Sequence, residues 1–187
     1  MRIILIRHGK TIGNVQKRYI GKTDESLCTE GVSELTEREY PKTEIVISSP
    51  LKRCTETAEI IYPDKKILVY ENLRECDFGD FEGKNYSELN GNEAYQRWID
   101  SGGTLPFPNG ESHEAFKKRC ADAFEEAVFN NCASESIAFV IHGGTIMAIL
   151  EKFAVPKGRF YDFQVGNGCG FIAELDGEKL KIVGRIC

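Results

Sequence analysis

Two of the three histidines in this chain share one local pattern, in which an apolar run is followed by histidine and then glycine. His8 stands in LIRHG and His142 stands in VIHGG. Glycine after a strand lets the backbone approach a ligand closely, and the amides at the start of a following helix attract anions. The third histidine, His113, lies outside this pattern and is interpreted as a surface residue. The repeated pattern predicts an anion-binding site built around two imidazoles.

Two arginines can join these histidines. Arg7 directly precedes His8, and Arg53 falls in the first turn of a helix predicted after the segment ISSP. Taken alone, Arg53 would be assigned to a solvated helix face. Together, two guanidinium groups can hold a phosphoryl group through paired hydrogen bonds. The combination therefore indicates phosphoryl chemistry.

Other motifs for phosphate binding or hydrolysis are incomplete. Gly-Lys-Thr occurs at 9–11 and 21–23, but both copies lack the glycine that a phosphate-binding loop needs five positions upstream. Cys76 has Glu82 six residues later, where a cysteine-based phosphatase needs arginine. The GESHE segment does not follow a predicted strand, so Ser112 is interpreted as a helix cap rather than a nucleophile.

Charge and cysteine content exclude several classes of protein. The formal net charge of −5 gives no reason to expect a nucleic acid or an anionic membrane as partner. The seven cysteines are scattered and never spaced as C-x-x-C, which argues against a disulfide framework and a zinc site. No apolar run approaches the roughly 20 residues of a membrane-spanning helix, and the N-terminus resembles a first strand rather than a signal peptide. We expect a cytoplasmic protein.

Alternating strands and helices must position the site. Apolar runs rich in β-branched residues predict strands at 2–7, 44–49, 66–71 and 136–142. Helices are predicted between and after them, beginning near Thr29, Pro50, Ser112 and Gly144. This order predicts an α/β fold with a mostly parallel sheet, in which ligands bind at the carboxyl ends of the strands.

The remaining segments suggest how the site is covered. The length of 187 residues predicts one domain, 1–187. Residues 77–111 are rich in Gly, Asn, Asp and Pro and are predicted to form an irregular cap over the site. Residues 169–186 resemble a hairpin with Asp176-Gly177 at its turn.

Five ordered segments resemble the histidine phosphatase superfamily, also called phosphoglycerate mutase-like. They are RHGKTIGN (7–14), SSPLKRCTETA (48–58), LRECDFGDFEG (73–83), NGES (109–112) and VIHGGTI (140–146). The resemblance runs from about residue 2 to 175. It implies a three-layer α/β/α sandwich and a phosphomonoesterase that needs neither a metal nor a cofactor.

The resemblance also implies a role for each residue of the site. His8 would be the nucleophile that forms a phosphohistidine, and its other ring nitrogen should donate to a backbone carbonyl that fixes the tautomer. Glu75 would protonate the leaving group and then activate water. The phosphoryl oxygens would be held by Arg7, Asn14, Arg53, His142 and Gly143. Further substrate contacts are assigned to Arg18, Tyr19 and Trp98, whereas Asp77, Asp80 and Glu82 are interpreted as solvated loop charges.

The substrate is less defined than the chemistry. Only Lys84 and Arg97 are cations in the cap, so a site for doubly anionic three-carbon acids is poorly supported. The motifs are most similar to α-ribazole-5'-phosphate phosphatases of cobalamin biosynthesis, and Phe78, Phe81, Tyr86, Tyr95 and Trp98 could line a pocket for a flat benzimidazole. A broad-specificity phosphatase of sugar phosphates or other small molecules, a phosphoglycerate mutase, and a catalytically idle module that binds phosphorylated ligands remain alternatives. The expected assembly is a monomer or homodimer.

Overall fold

The computed structural model describes all 187 residues, Met1–Cys187. Its strands are β1 (Arg2–Arg7), β2 (Ile45–Ser48), β3 (Ile67–Val69), β4 (Ser136–Ile141), β5 (Ala154–Val155), β6 (Gly170–Asp176) and β7 (Lys179–Ile186). They form one sheet in the order β3-β2-β4-β1-β6-β7-β5. Only β6 runs antiparallel to its neighbours, which are β1 and β7. The predicted mostly parallel sheet is confirmed.

Six α-helices surround this sheet. They are α1 (Ile12–Val15), α2 (Thr29–Thr36), α3 (Lys52–Ile61), α4 (Glu93–Asp100), α5 (His113–Asn130) and α6 (Gly143–Phe153). Three short 3-10 turns lie at Glu71–Leu73, Gly79–Phe81 and Phe160–Phe163. None of the helices has both the length and the apolar character needed to span a lipid bilayer.

The side chains of β1 show how the sheet separates two layers of core. Ile3 and Leu5 are buried in a cluster with residues of α5 and α6. Ile4 and Ile6 point to the opposite face, where they join a second cluster with residues of α3. Because alternate residues of a strand face opposite sides, a fully apolar strand needs cover on both faces. The result is the α/β/α sandwich that the motifs implied.

The predicted helices begin within two residues of their predicted starts, but not all of the caps are the expected ones. The cap of α2 is Cys28 rather than Thr29, since its sulfur accepts the Gly31 amide at 3.4 Å. Helix α3 begins at Lys52, so Pro50 lies ahead of it. Ser112 caps α5 as predicted, and its hydroxyl accepts the Ala115 amide at 3.1 Å.

The cap segment 77–111 is more regular than predicted, since it contains the turn Gly79–Phe81 and the helix α4. Helix α4 has only eight residues, buries none of them fully, and lies in a stretch whose content of Gly, Asn, Asp and Pro predicts irregular structure. The predicted C-terminal hairpin is present as β6 and β7, with Gly177 at φ +57° in the turn. That the whole chain is one domain remains a prediction.

The register of three central strands brings the site together. Arg7 of β1 pairs with Ile141 of β4, and Ser48 of β2 pairs with Val140 of β4. Parallel strands in this register end at the same edge of the sheet. The residues that follow them, His8, Ser49 and His142, therefore meet there.

Helix α2 packs directly on the loop that follows β1. A Cβ atom at Gly31 would collide with the carbonyl oxygen of Lys10 and would lie 2.8 Å from the Lys10 amide nitrogen. Only glycine allows this approach of helix to loop. The contact supports the backbone that carries His8.

Replacing Gly31 with alanine is expected to lower the free energy of unfolding by about 1–3 kcal/mol, because overpacking outweighs the gain in helix propensity. Urea denaturation followed by circular dichroism measures this change. Gly184→Ala is the matched control, since its Cβ would meet nothing closer than 3.6 Å. Equal stability of the two variants would contradict the packing argument.

Candidate active site

His8 is buried and oriented by the backbone next to it. Its Nδ1 lies 2.7 Å from the carbonyl oxygen of Gly9. A carbonyl only accepts, so Nδ1 carries the proton and Nε2 keeps a free lone pair. The Gly9 amide in turn donates to the Thr57 hydroxyl at 2.9 Å, which ties this loop to α3. The structure thus supplies the carbonyl contact that a nucleophilic His8 needs.

The electrostatic environment keeps His8 uncharged. Burial holds the pKa of His8 well below its ordinary value of 6.5, and the nearby cations Arg53 and Arg7 lower it further. An imidazolium would be both desolvated and repelled at this position. At neutral pH, His8 therefore presents a neutral nitrogen with an available lone pair.

His142 lies beside His8 with its ring centroid 5.2 Å away and the two planes at 67°. It is fully buried, and its Nε2 forms a hydrogen bond of 2.7 Å with the Ser49 hydroxyl. Burial and the charge of Arg53 keep the pKa of His142 well below 6.5. Ser49 stood at a predicted strand end without an assigned role, and the structure shows that it orients this imidazole.

Arg53 is completely buried and is held by the loop between α1 and α2. Its Nη1 donates to the Thr23 carbonyl at 2.7 Å, and its Nη2 donates to the Gly21 carbonyl at 2.8 Å. Its Nε has no hydrogen-bond partner within the protein. The alternative of a solvated helix face is thereby excluded.

Glu82 in turn holds the loop that holds Arg53. Its carboxylate accepts the Gly21 amide at 2.9 Å, the Thr23 amide at 3.0 Å and the Thr23 hydroxyl at 2.8 Å. The interpretation of Glu82 as a solvated loop charge is therefore wrong. Its half-buried carboxylate is committed to backbone amides that lie about 60 residues away in sequence.

Arg7 approaches from the other side of the site. Its Nη1 donates to the Val165 carbonyl at 2.8 Å, and its buried Nε has no partner within the protein. A Cβ atom at position 143 would lie 3.3 Å from this Nε, so Gly143 leaves room for the guanidinium. Arg7 and Gly143 both line the cavity described below.

Glu75 faces the cavity and is half-buried. Its two carboxyl oxygens accept the Cys76 amide at 2.9 Å and the Gly144 amide at 3.1 Å. Burial raises the pKa of Glu75 above its ordinary 4.5, although these amides and the two arginines oppose the shift. A raised pKa favours the protonated form of the carboxyl group, which is the form that can donate a proton.

Arg119 of α5 fixes the segment that carries Glu75. Its guanidinium donates to the carbonyls of Asn72 at 2.8 Å and Arg74 at 3.0 Å, and it pairs with Glu111 at 2.7 Å. The sequence offered no sign of this role, since Arg119 lies in an ordinary helical stretch. These contacts position Glu75 through its backbone.

Asn14 and Asn167 complete the polar wall. The Asn14 side-chain oxygen accepts the Thr11 amide at 3.2 Å and the Asn167 side-chain amide at 3.0 Å. This leaves the Asn14 nitrogen as a donor for a ligand. Asn167 also donates to the His8 carbonyl at 3.1 Å, a contact that the sequence analysis missed.

A cavity of about 500 Å³ opens beside these residues. Most of the predicted site residues line it, namely Arg7, Asn14, Arg18, Tyr19, Glu75, Trp98 and Gly143. His8, Arg53 and His142 do not contribute to its lining and are buried next to it. No three His, Cys, Asp or Glu side chains converge as a metal-binding group. That the reaction needs no metal stays a prediction.

The aromatic wall differs from the predicted one. Phe78 and Trp98 line the cavity, whereas Phe81 is buried behind it, Tyr86 is exposed to solvent and Tyr95 stacks on Trp98. The other aromatic lining residues are Tyr19, Phe107, His113, Phe116, Phe160 and Tyr161. His113, interpreted as a surface residue, is half-buried, since its ring packs edge-on against Phe160 at 4.6 Å, and it lines the cavity.

The predicted substrate contacts Arg18 and Tyr19 already have partners. Arg18 pairs with Glu88 at 2.6 Å and donates to the Gly83 carbonyl, so much of its charge is compensated. The Tyr19 hydroxyl bonds to the Tyr95 hydroxyl at 3.1 Å. Lys17, which the sequence analysis did not single out, also lines the cavity and forms no ion pair.

Comparison with known proteins shows what this chain is similar to. Residues 3–186 match the family model of the histidine phosphatase superfamily (branch 1). A protein of Hydrogenobacter thermophilus, provisionally named phosphoserine phosphatase 2, is 32% identical over 100% of this chain and 96% of its own length. The adenosylcobalamin/alpha-ribazole phosphatase of Escherichia coli is 26% identical over 90% of this chain and 87% of its own.

A solved structure agrees with the sequence matches. Phosphoserine phosphatase of Entamoeba histolytica, solved in complex with 3-phosphoglyceric acid, superposes with a TM-score of 0.83 at 26% identity. The alignment covers 100% of this chain and 96% of that one. The fold of this chain is therefore shared over its whole length.

The link from Glu82 through the loop to Arg53 can be tested by binding of inorganic phosphate. Arg53→Ala is expected to weaken binding roughly 10- to 100-fold, because a charge-assisted contact is lost. Glu82→Ala should weaken it roughly 3- to 30-fold, since the loop no longer fixes the guanidinium. Isothermal titration calorimetry measures both affinities.

The double variant separates the two explanations. If Glu82 acts through Arg53, removing both residues should weaken binding no more than Arg53→Ala alone. Asp80→Ala is the control, since Asp80 is exposed and contacts only the Asn109 side chain with its carboxylate. Additive losses in the double variant would refute the link.

Proposed function

The chain belongs to the histidine phosphatase superfamily and is a phosphatase, and on that premise we propose that it hydrolyses α-ribazole-5'-phosphate through a phosphohistidine on His8. One observation carries the mechanism: a buried, neutral His8 has Nδ1 committed to the Gly9 carbonyl and its other nitrogen free. The two arginines and His142 stand around it. This arrangement suits attack on phosphorus.

In the first step, the lone pair on His8 Nε2 forms a bond to phosphorus while the bond to the ester oxygen breaks. The leaving alkoxide takes the proton of the Glu75 carboxyl group and departs as an alcohol. Arg7, Arg53 and His142 stabilise the charge on the three equatorial oxygens, and Asn14 and the Gly143 amide contribute further donors. The raised pKa of Glu75 keeps that proton available.

In the second step, the Glu75 carboxylate removes a proton from water as the water oxygen attacks phosphorus. The bond between phosphorus and His8 breaks, and its electron pair returns to the imidazole. Inorganic phosphate leaves, His8 is neutral again and Glu75 is again protonated. The cycle consumes one water and needs no redox partner.

The cavity supports a neutral aromatic leaving group. Aromatic side chains form much of its wall, and its cations beyond Arg7 are Lys17 and the already paired Arg18. The name of the Escherichia coli relative points to the same substrate. These two observations favour α-ribazole-5'-phosphate over a doubly anionic acid, and hence a role in cobalamin biosynthesis.

A second candidate is a phosphatase of small phosphorylated acids. Lys17 lines the cavity without an ion pair and could receive a carboxylate. The relative from Hydrogenobacter thermophilus carries a name of this kind.

We further propose that the protein acts on a small molecule and that residues 77–111 form a cap over the site. We also propose that it is a cytoplasmic monomer or homodimer without a nucleic-acid or membrane partner.

Phosphate release tests the mechanism and the substrate together. The wild-type protein should release phosphate from p-nitrophenyl phosphate and from α-ribazole-5'-phosphate in the presence of EDTA, with the second preferred by orders of magnitude in kcat/KM. His8→Ala should release none. If α-ribazole-5'-phosphate is the poorer substrate, the assignment fails while the mechanism stands. Undiminished turnover by His8→Ala would eliminate the phosphohistidine.

Comparing two leaving groups in the variant Glu75→Gln should show whether Glu75 donates a proton to the leaving group. The kcat/KM for an alkyl ester such as α-ribazole-5'-phosphate should fall about 10²- to 10⁴-fold, because its alkoxide needs a proton. The loss for p-nitrophenyl phosphate should be much smaller, since nitrophenolate leaves without one. Equal losses for both substrates would show that the variant acts through structure.

The pH profile of kcat/KM gives an independent check. Because the pKa of His8 is lowered, activity should persist below pH 6.5 and fall only as His8 becomes protonated. Because the pKa of Glu75 is raised, activity should persist above pH 4.5 and fall as that carboxyl group ionises. Glu75→Gln should abolish the alkaline limb and keep the acid limb. An unchanged alkaline limb would assign that proton to another group.

A further inference from the structure

The buried side-chain nitrogens without a hydrogen-bond partner fall into two groups, one in arginines and one in Trp98 and His113. Across the chain, four buried side-chain polar atoms have no hydrogen-bond partner within the protein: Arg7 Nε, Arg53 Nε, Trp98 Nε1 and His113 Nε2. An unpaired buried polar group costs about 1–3 kcal/mol. The two arginines are explained by the phosphoryl group that they are proposed to hold. Trp98 and His113 have no part in that chemistry.

Trp98 and His113 face the same cavity from different elements of the fold. Trp98 lies on α4 in the cap, and His113 is the first residue of α5. Both line the cavity that also contains Arg7 and Glu75. An aromatic chain of contacts connects them along the wall: His113 packs on Phe160 at 4.6 Å, and Phe160 packs on Tyr161 at 5.1 Å.

The wall continues from Tyr161 to Trp98. A Cβ atom at Gly103 would lie 2.5 Å from the Tyr161 hydroxyl and 3.2 Å from the Trp98 ring, so Gly103 brings the two together. Trp98 also lies against Phe107 at 5.2 Å. The two side chains that carry the unpartnered nitrogens therefore belong to one continuous aromatic wall.

The charge of this surface is low. Burial and the neighbouring Lys117 lower the pKa of His113, while Glu114 and Glu151 oppose the shift, so the ring is neutral at neutral pH. A neutral imidazole nitrogen donates or accepts one hydrogen bond, and an indole nitrogen only donates. Such a pair suits the hydroxyl groups and ring heteroatoms of an uncharged organic group. A carboxylate beside His113 would meet the acidic neighbours Glu114 and Glu151, and the nearby Lys117 is already paired with Glu151 at 2.9 Å.

On the basis of the proposed phosphatase function, we propose that Trp98 Nε1 and His113 Nε2 form a second recognition point, which selects phosphomonoesters of neutral, nucleoside-like alcohols. The aromatic wall stacks on the ring of the leaving group, and the two nitrogens bond to its polar atoms. Arg7 and Arg53 hold the phosphoryl end of the same molecule. Trp98 and His113 are thus specificity residues rather than participants in phosphoryl transfer.

The experiment compares substrates that differ only beyond the phosphate. Phenyl phosphate offers an aromatic ring without further polar atoms, whereas adenosine 5'-monophosphate and α-ribazole-5'-phosphate offer both. O-phosphoserine and 3-phosphoglycerate represent small acids. The measured quantity is the ratio of kcat/KM for each nucleoside-like substrate to that for phenyl phosphate.

His113→Phe and Trp98→Phe keep an aromatic ring and remove one nitrogen each. Each variant should lower the ratio for at least one nucleoside-like substrate roughly 10- to 100-fold, mainly through KM, because the polar atom loses its partner. Tyr86→Phe is the control, since it removes a polar atom from an exposed aromatic residue of the cap that does not line the cavity. Its ratios should equal those of the wild type.

Three results would overturn the proposal. The first is an unchanged ratio in both variants, which would assign Trp98 and His113 to packing alone. The second is a preference of the wild type for O-phosphoserine or 3-phosphoglycerate that Lys17→Ala abolishes, which would leave the phosphatase function intact. The third is no phosphate release from any substrate, phenyl phosphate included, which would refute the proposed function itself.

Discussion

The site depends on a positive charge that is buried without a carboxylate partner. Arg53 has no solvent exposure, and backbone carbonyls of the 20–23 loop are its hydrogen-bond partners. Burying a charge costs several kcal/mol unless compensating groups are supplied. The protein supplies dipoles rather than an opposite charge, so the guanidinium keeps its attraction for an incoming anion. A carboxylate in place of those carbonyls would stabilise the empty site and weaken phosphate binding.

Several other features of the site are related to the burial of Arg53 without a carboxylate partner. Burial lowers the pKa of both imidazoles, and the nearby Arg53 and Arg7 lower it further, so both rings are neutral and the proposed nucleophile needs no separate base. Because carbonyls must be held still to compensate a charge, Glu82 anchors the loop through its amides. The segment that carries Glu82 also carries Glu75, so one stretch of chain positions both the proposed acid and the carboxylate that supports Arg53. Arg119 then ties that stretch to α5.

The sequence was informative where a role depends on local order. His8 and His142 could be identified because each follows its own strand, and parallel strands bring their ends together whatever the rest of the chain does. Glu82 could not, because its contacts with Gly21 and Thr23 join segments about 60 residues apart that no periodicity connects. The partial burial of His113 could not be predicted for the same reason. Its place beside a helix cap indicates exposure, and only the packing of Phe160 against its ring shows otherwise.

The end of the cavity beside His8 and the end beneath the cap are subject to different physical constraints. This difference bears on how one fold can accept several substrates. The end proposed to hold the phosphoryl group is built from strand ends, where the register of the sheet fixes the positions of the residues that follow. The organic end is built from the cap and from the Phe160–Phe163 turn, where aromatic contacts tolerate changes in shape more readily. Substitutions there can change the leaving group that fits while the charge balance at His8 is preserved. Relatives with similar folds and differently named substrates are what this separation would produce.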